Sequence, residues 1–314
     1  MLKIIEAHEP IVVETIVLTV YSPPGIGKTS LAFSAEKPLL LDTDAGVHRS
    51  AFRKTSVRPL EWEDIGGIEK ADVDGYKTLV VDTAGRALDM LALSIIKHDP
   101  KRGKGGSLDL KGYGVLKSRF TDWLKLVRSF GLDVILVAHS QEQQKGDEVI
   151  ERLDLTGGSK QEIFKSSDAM ARLGIVNGHR VLTFSPTETQ FGKDPAAIGT
   201  IDVPDLAKKP EFLAGVIAGI KESLNQASAA NTEEAERRQS WLVKVKKAKN
   251  AGAFTKLVSE AWDVASKRVL LDTAIEAGFE WAAGKKAFVG PEPEEAEEEQ
   301  EAEATEGGQD PLPF

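Results

Sequence analysis

Residues 21–30 read YSPPGIGKTS, and this stretch decides which fold we expect. It follows an apolar run rich in β-branched residues (14–20) and precedes a helical pattern, KTSLAFSAE (28–36). A strand, a glycine turn and a helix in this order direct backbone N–H groups and a helix N-terminus towards a phosphate. The stretch therefore predicts a phosphate-binding loop made by Ser22, Pro23, Pro24, Gly25, Ile26, Gly27, Lys28, Thr29 and Ser30.

The loop departs from the pattern G-x-x-x-x-G-K-[ST] because Ser22 stands where the first glycine is expected. Two prolines follow it, and proline presets φ near −65°, so the turn out of the strand can still be made. We expect Lys28 to contact the phosphates of ATP and the Thr29 hydroxyl to bind Mg²⁺. The loop alone leaves open an ordinary strand–turn–helix connection.

Three further apolar runs, at 37–46, 76–85 and 132–141, alternate with helical patterns at 86–97 and 115–130. A hairpin across Asn177-Gly178 follows. This alternation predicts an α/β fold with a mainly parallel sheet covered by helices on both faces. Asp82 ends the run TLVVD (78–82), at a spacing that suits an acid holding Mg²⁺ through water.

Polar residues end two other strands, and a glycine pair, Gly157-Gly158, precedes the pattern SKQEIFKSSD (159–168). The strand 37–42 is followed by Asp44, and the strand 132–138 by His139, with Gln141 as a second candidate. Taken together, residues 12–205 resemble the core of the RecA-like ATPases. Among these they look most like the phage-encoded RecA-like single-strand annealing proteins, which share the degenerate phosphate loop and a GYG segment (112–114).

The resemblance implies roles for these residues. Asp44 would activate the attacking water, although Asp has one methylene less than the Glu usual there, and His139 would sense the γ-phosphate. The alternatives are that Asp42 and Asp44 only end a strand and cap a turn, and that His139 is structural. ATP would be bound between neighbouring subunits of a homo-oligomeric ring or filament, where Lys193 would reach the neighbour's phosphates.

The resemblance also implies that single-stranded DNA is held by two loops, 97–114 and 141–165. Basic residues among glycines suit contact with a phosphodiester backbone. The other interpretation is that both are solvated surface loops without a ligand. The candidate DNA-binding residues are Lys97, Lys101, Arg102, Lys104, Lys111, Gly157, Gly158 and Lys160.

The chain of 314 residues divides by composition into three regions: an ATPase core (1–205), a helical region (206–289) and an acidic tail (290–314). A small, polar stretch at 225–236 predicts a linker. The tail has ten acids and no base, which leaves 40 bases and 39 acids elsewhere, so the net charge of −9 does not argue against nucleic-acid binding. The tail is expected to be disordered.

Composition excludes several classes of site and location. There is no cysteine, which rules out disulfides and cysteine-ligated zinc, and the five histidines are not at metal-ligand spacing. No apolar run is long enough to span a membrane, and the N-terminus has no signal-peptide pattern. We therefore expect a soluble, cytoplasmic protein without a membrane partner.

The last residues, GGQDPLPF (307–314), resemble the tip of bacterial single-stranded DNA-binding proteins. In that family the tip docks on partner proteins, which here would be host or phage replication or recombination proteins. The tail could instead be solubilising or self-inhibiting. The candidate partner-binding residues are Asp310, Pro311, Leu312, Pro313 and Phe314.

These patterns favour an ATP-binding, single-stranded DNA-binding protein that promotes annealing or strand exchange in recombination or replication. ATP hydrolysis would be weak and stimulated by DNA. Two alternatives stay open: a phosphotransferase acting on a small molecule, and a helicase loader switched by ATP.

Overall fold

A computed structural model describes residues 5, 9–50, 52–145, 148–155 and 159–290. The strands are β1 (Val17–Ser22), β2 (Pro38–Asp42), β3 (Ser56–Val57), β4 (Thr78–Asp82), β5 (Gly103–Lys104), β6 (Ser107–Leu108), β7 (Asp133–Lys145), β8 (Glu148–Leu153), β9 (Ala169–Val176), β10 (His179–Thr183), β11 (Thr200–Asp202), β12 (Glu280–Ala282) and β13 (Ala287–Val289). The helices are α1 (Lys28–Ala32), α2 (Trp62–Gly66), α3 (Ala84–His98), α4 (Leu110–Ser129), α5 (Ser159–Ser166), α6 (Phe212–Lys246), α7 (Ala251–Leu257) and α8 (Val264–Glu276).

The main sheet has the strand order β3-β2-β4-β7-β1-β9-β10-β11, with β8 paired to the far end of β7. Pairing is parallel from β3 through β9, and β10 and β11 add antiparallel strands at one edge. The predicted mainly parallel α/β sheet is therefore confirmed. Because β1 and β4 both run parallel to β7, which lies between them, the phosphate loop and Asp82 emerge from the same edge of the sheet.

Alternate residues of the central strands enter two apolar layers. Val17 and Tyr21 pack with residues of α2–α5, whereas Leu18 and Val20 pack with residues of α1 and α6. Both layers are buried, as expected for a parallel sheet covered on two faces. The strands are thereby held so that their carboxyl ends present the functional loops.

The predicted hairpin between β9 and β10 is confirmed. Asn177 and Gly178 have φ of 50° and 80°, the two positive values that a tight type I′ turn requires.

The predicted loop at 97–114 is wrong in its extent. Lys97 lies in α3, β5 and β6 form a small hairpin, and α4 already begins at Leu110. The side chain of Asp109 caps α4 by accepting a hydrogen bond from the Gly112 N–H at 2.6 Å. Gly112 serves packing within a helix, since a Cβ there would lie 2.9 Å from a Leu108 methyl group.

Two other segments that the sequence assigned to irregular structure are regular. The polar residues after His139 continue β7 to Lys145, where it pairs with β8 in an antiparallel ladder. The predicted linker at 225–236 lies inside the continuous helix α6.

The chain has two compact units, Glu9–Asn231 and Thr232–Phe314 with Met1–His8. The first holds the sheet and includes Leu213 and Ile217 of α6 in its core. The second has its own core, which includes Trp241, Val245, Phe254, Leu257 and Leu270. The boundaries at 205 and 289 stay predictions about where an independently folding core would end.

Within the described ranges, none of the helices combines the length and hydropathy that spanning a membrane requires.

Candidate nucleotide-binding site

The phosphate loop turns sharply between β1 and α1. Gly25 and Gly27 have φ of 82° and 105°, a left-handed region that favours glycine. Arg180 on β10 holds the loop by donating a hydrogen bond to the Ile26 carbonyl at 2.8 Å. A Cβ on Gly27 would lie 3.3 Å from the same guanidinium, so glycine at this position suits both the backbone and its neighbour.

Lys28 is buried beneath the loop, with only 6% of its surface exposed. Its Nζ donates hydrogen bonds to the carbonyls of Ser22 and Pro23, both at 2.9 Å, and to the Ser22 hydroxyl at 3.1 Å. Burial lowers the pKa of the Lys28 ammonium to about 8, although the carboxylates of Asp82 and Asp44 act in the opposite direction. The Ser22 hydroxyl thus makes a contact with Lys28 that glycine, which has no side chain, could not make.

Thr29 and Asp82 meet beside Lys28. The Thr29 hydroxyl donates a hydrogen bond of 2.6 Å to the Asp82 carboxylate, which lies at the end of β4 and is buried. Burial raises the pKa of Asp82, and the hydrogen bond from Thr29 partly offsets this. The peptide bond from Asp82 to Thr83 is cis.

This donor set fits Mg²⁺ bound together with a nucleotide. Mg²⁺ prefers oxygen ligands, keeps several waters, and usually takes one or two carboxylates plus substrate phosphates. A hydroxyl and a carboxylate within 2.6 Å of each other supply that chemistry. In the described part of the chain no group of three or more His, Asp or Glu side chains is placed to hold a metal ion.

Asp42 and Asp44, both near the end of β2, have different contacts. Asp42 caps the turn by accepting hydrogen bonds from the N–H groups of Gly46 at 2.8 Å and Val47 at 3.2 Å. Asp44 faces the cleft, and its two carboxylate oxygens lie 3.5 Å from the guanidinium groups of Arg49 and Arg86. Asp42 therefore caps the turn after β2, as the alternative interpretation has it. Asp44 is an acid of the cleft that is ion-paired with two arginines.

His139 lies opposite Ser22 in the register of β1 and β7. Its Nδ1 is 3.3 Å from the Lys28 Nζ. Burial, and then the charge of Lys28, lower the pKa of His139, which favours the neutral imidazole. Gln141 is exposed and pairs with Arg152 in the β7–β8 ladder, outside the residues that line the cleft.

The cleft has a volume of about 600 Å³. It is lined by nine of the predicted site residues: Pro24, Gly25, Gly27, Lys28, Thr29, Ser30, Asp44, Asp82 and His139. The residues that sequence reasoning missed include Arg49, Arg86 and Asp154, which line the cleft, and Arg180, which holds the loop. Arg86 alone had a signal, since it lies in the first turn of the helix that follows Asp82.

The five candidate DNA-binding residues of the first segment are not among the residues that line this cleft. Lys97 is ion-paired with Glu61 at 2.9 Å, and Arg102 with Asp99 at 3.1 Å. The other three basic residues of the first segment are exposed and have no ion pair among the described residues: Lys101, Lys104 and Lys111. Of the second segment, Lys160 lies in α5, and Gly157 and Gly158 fall outside the described residues.

Lys193 makes its contacts within its own chain. Its Nζ donates a hydrogen bond to the Ser167 carbonyl at 2.7 Å and lies 4.8 Å from the centre of the Phe164 ring. These contacts do not favour the role of a finger that reaches a neighbour. The tip residues 310–314 lie outside the described residues.

The glycine loop between a parallel strand and a helix, with a buried lysine and a threonine–aspartate pair, defines a P-loop fold on a mainly parallel α/β sheet. The family model described as AAA domain matches residues 14–196, more than half of the chain. The chain belongs to this family.

Comparison with solved structures gives weak likenesses. One is the RadB recombinase, at 20% identity and a TM-score of 0.35, covering 54% of this chain and 79% of that chain. Another is an ATPase from the type III secretion system of pathogenic bacteria, at 13% identity and a TM-score of 0.34. This match covers 51% of each chain, so the present chain spans about half of that ATPase. At these scores neither likeness extends to function, and no curated protein matches the chain.

Proposed function

We propose that the chain is an ATP- and Mg²⁺-binding protein that acts on single-stranded DNA in recombination or replication, promoting annealing or strand exchange. The observation that carries the nucleotide part is the contact of Thr29 with Asp82 at 2.6 Å, next to the buried Lys28 ammonium. Lys28 would supply positive charge to the phosphates, and Thr29 and Asp82 would hold Mg²⁺. The chemistry that Mg²⁺ would supply when bound is neutralisation of charge on the phosphates.

The DNA part rests on the three exposed, unpaired lysines of the first segment, Lys101, Lys104 and Lys111. Unpaired ammonium groups release counterions from a phosphodiester backbone when they bind it, so the affinity falls steeply with salt. Gly157, Gly158 and Lys160 remain proposed contacts of the second segment. Assembly into a ring or filament, with ATP at the subunit interface, belongs to the same proposal.

The nucleotide part is tested by equilibrium binding of a fluorescent ATP analogue, with Mg²⁺ and with EDTA. We expect Lys28→Ala to weaken binding by at least about tenfold, because the charge-assisted hydrogen bonds from its ammonium group to the phosphates would be lost. The matched control is Lys70→Ala, which removes an exposed lysine outside the cleft. Equal affinities for the two variants would overturn the nucleotide assignment.

The DNA part is tested separately, with a labelled 60-mer oligonucleotide at low salt, with and without ATP. Electron microscopy with a non-hydrolysable ATP analogue shows whether rings or filaments form. Absence of oligonucleotide binding under both conditions would overturn this part and leave the nucleotide part standing.

One observation favours a second candidate, an ATP switch such as a helicase loader that hydrolyses ATP very slowly. The Asp44 carboxylate is held between Arg49 and Arg86 at 3.5 Å from each, an arrangement that competes with activation of a water molecule. ATP turnover that is unaffected by single-stranded DNA, together with nucleotide-dependent capture of a protein partner, would favour the switch. The proposed partner-binding tip is Asp310–Phe314.

A further inference from the structure

One segment of the C-terminal unit, residues 237–290, has an excess of positive charge, whereas the residues on either side of it are acidic. Residues 237–290 contain eleven bases and five acids. Three of the acids are neutralised within the unit, since Glu260 pairs with Lys244, Asp263 with Arg238 and Asp272 with Arg268.

Seven lysines of the unit are exposed and have no ion pair among the described residues, against four such glutamates, Glu233, Glu236, Glu276 and Glu280. An excess of unpaired ammonium groups on one small unit produces a positive potential that a polyanion neutralises. These lysines are Lys246, Lys247, Lys249, Lys256, Lys267, Lys285 and Lys286.

Tertiary contacts bring three of these lysines to one region. Helix α7 packs on β13, where the Phe288 N–H donates a hydrogen bond of 2.8 Å to the Thr255 hydroxyl. Lys256 follows Thr255 directly, and Lys285 and Lys286 form the turn that leads into β13. Residues far apart in the sequence therefore share a region around α7 and the β12–β13 turn.

An aromatic ring lies on the same hairpin. Trp281 of β12 is paired with Phe288 of β13, and their ring centres are 5.2 Å apart. Trp281 nevertheless keeps 38% of its surface exposed, although a tryptophan that served packing alone would be expected to be covered. Exposed aromatic rings among cations suit stacking with bases while the ammonium groups contact the phosphates.

We propose that Lys256, Lys285, Lys286 and Trp281 form a binding surface for a single strand of nucleic acid, which we name the lysine–tryptophan surface. The lysines contact successive phosphates and the tryptophan stacks on a base. Recognition follows the backbone and is independent of sequence. The surface lies in a different compact unit from the nucleotide cleft, so its binding requires neither ATP nor Mg²⁺.

The test is fluorescence anisotropy of the full chain with a labelled 30-mer of deoxythymidine, in EDTA, at several salt concentrations. We expect the triple variant K256A/K285A/K286A to bind at least about tenfold more weakly at low salt. The slope of log K against log salt should fall by about 2 units, given ~0.7 per phosphate contact with a single strand. Trp281→Leu should weaken binding by ~5-fold or more with an unchanged slope, because it removes stacking and no charge.

The matched control is K208A/K209A, which removes two exposed lysines of the other unit. Near-ultraviolet circular dichroism of Trp241 and Trp262 shows whether each variant keeps the fold of the C-terminal unit. A triple variant that is folded and binds with the affinity and salt slope of the wild type would overturn the proposal.

Lysine footprinting tests the occupant of the surface. Acylation of the full chain with and without the oligonucleotide should show that Lys256, Lys285 and Lys286 are protected only when the oligonucleotide is present. Protection before its addition would assign the surface to another part of the chain, such as the acidic tail, and would overturn the proposal. Loss of ATP binding in Lys28→Ala tests the nucleotide cleft independently of these results.

Discussion

Lys28 is the residue in which burial and function conflict most directly. Its ammonium group is surrounded by carbonyls of its own loop, and burial lowers its pKa to about 8. Bound phosphates would favour the charged form and raise this pKa again. Binding of ATP at alkaline pH would therefore be accompanied by uptake of a proton by Lys28.

We expect the affinity for ATP to fall by up to about tenfold between pH 7.5 and pH 9, because Lys28 loses its proton in the free protein over this range. Titration of a fluorescent ATP analogue at a series of pH values measures the effect. Lys28→Arg is the control, since a guanidinium stays charged throughout and should give a flat profile. A flat profile for the wild type would show that Lys28 is not the titrating group.

The contact between Thr29 and Asp82 leads to a prediction about how ATP affinity depends on Mg²⁺. Thr29→Val removes the hydroxyl that contacts Asp82, so we expect the ATP affinity in Mg²⁺ to fall by ~10-fold or more, while the affinity in EDTA stays unchanged. Thr29→Ser keeps the hydroxyl and should restore most of the affinity. A loss of equal size with and without Mg²⁺ would indicate a packing defect instead.

The position of Asp44 in the cleft leads to a prediction about ATP turnover. If it activates water, Asp44→Asn should lower ATP turnover by ~100-fold, the usual effect of losing a general base, without weakening ATP binding. Asp89→Asn is the matched control, because Asp89 also pairs with Arg86, at 3.6 Å. Unchanged turnover in Asp44→Asn would remove Asp44 from catalysis and favour the ATP switch.

At the scale of elements, the β7–β8 hairpin is held by a buried polar network. Glu151 of β8 accepts hydrogen bonds from Ser140 of β7 and Arg172 of β9, and it is 8% exposed. The network joins three strands next to the cleft, so it positions the strand end that carries His139. Neither hydropathy nor spacing indicated it, because the part of β7 that pairs with β8 is polar on both faces.

Removing Glu151 should leave the Arg172 guanidinium unpaired in a largely buried position. We expect Glu151→Ala to lower the free energy of unfolding by about 3 kcal/mol, as measured by urea denaturation. Glu142→Ala is the control, since Glu142 lies opposite Glu151 in the ladder and is exposed. Equal effects of the two substitutions would contradict a structural role for the network.

Helix α6 shows why the linker prediction failed. Residues 225–236 are small and polar, but they include neither Gly nor Pro, and Ala, Gln and Glu are good helix formers. Asn225 also anchors the chain before β1, because its side chain accepts a hydrogen bond from the Val13 N–H at 2.7 Å. Composition alone could not distinguish a solvated helix from a linker, since both are polar.

At the scale of the whole molecule, the two compact units have separate cores. Phe254 is fully buried in the core of the C-terminal unit, where its ring contacts those of Phe279 and Phe288. The nucleotide cleft lies entirely in the other unit. A cavity in one core should therefore leave the ligand site of the other intact.

We expect Phe254→Ala to destabilise the C-terminal unit by about 3–5 kcal/mol while ATP binding stays within twofold of the wild type. Thermal unfolding followed by tryptophan fluorescence, with and without ATP, measures both quantities. A proportional loss of ATP affinity would mean that the two units do not behave separately. Phe184→Ala in the core of the first unit is the opposite case and should impair both stability and binding.

The sequence by itself determined the phosphate loop, the parallel sheet and the acid at the end of β4. These follow from local rules, because a glycine turn, an apolar strand and a polar strand end each carry their signal within about ten residues. The tertiary structure alone decided which distant groups meet in the cleft and how each is paired. Arg180 reaches the Ile26 carbonyl across 154 residues, and Arg86 reaches Asp44 from the helix that follows β4. These pairings depend on strand order and side-chain length, which no local pattern encodes.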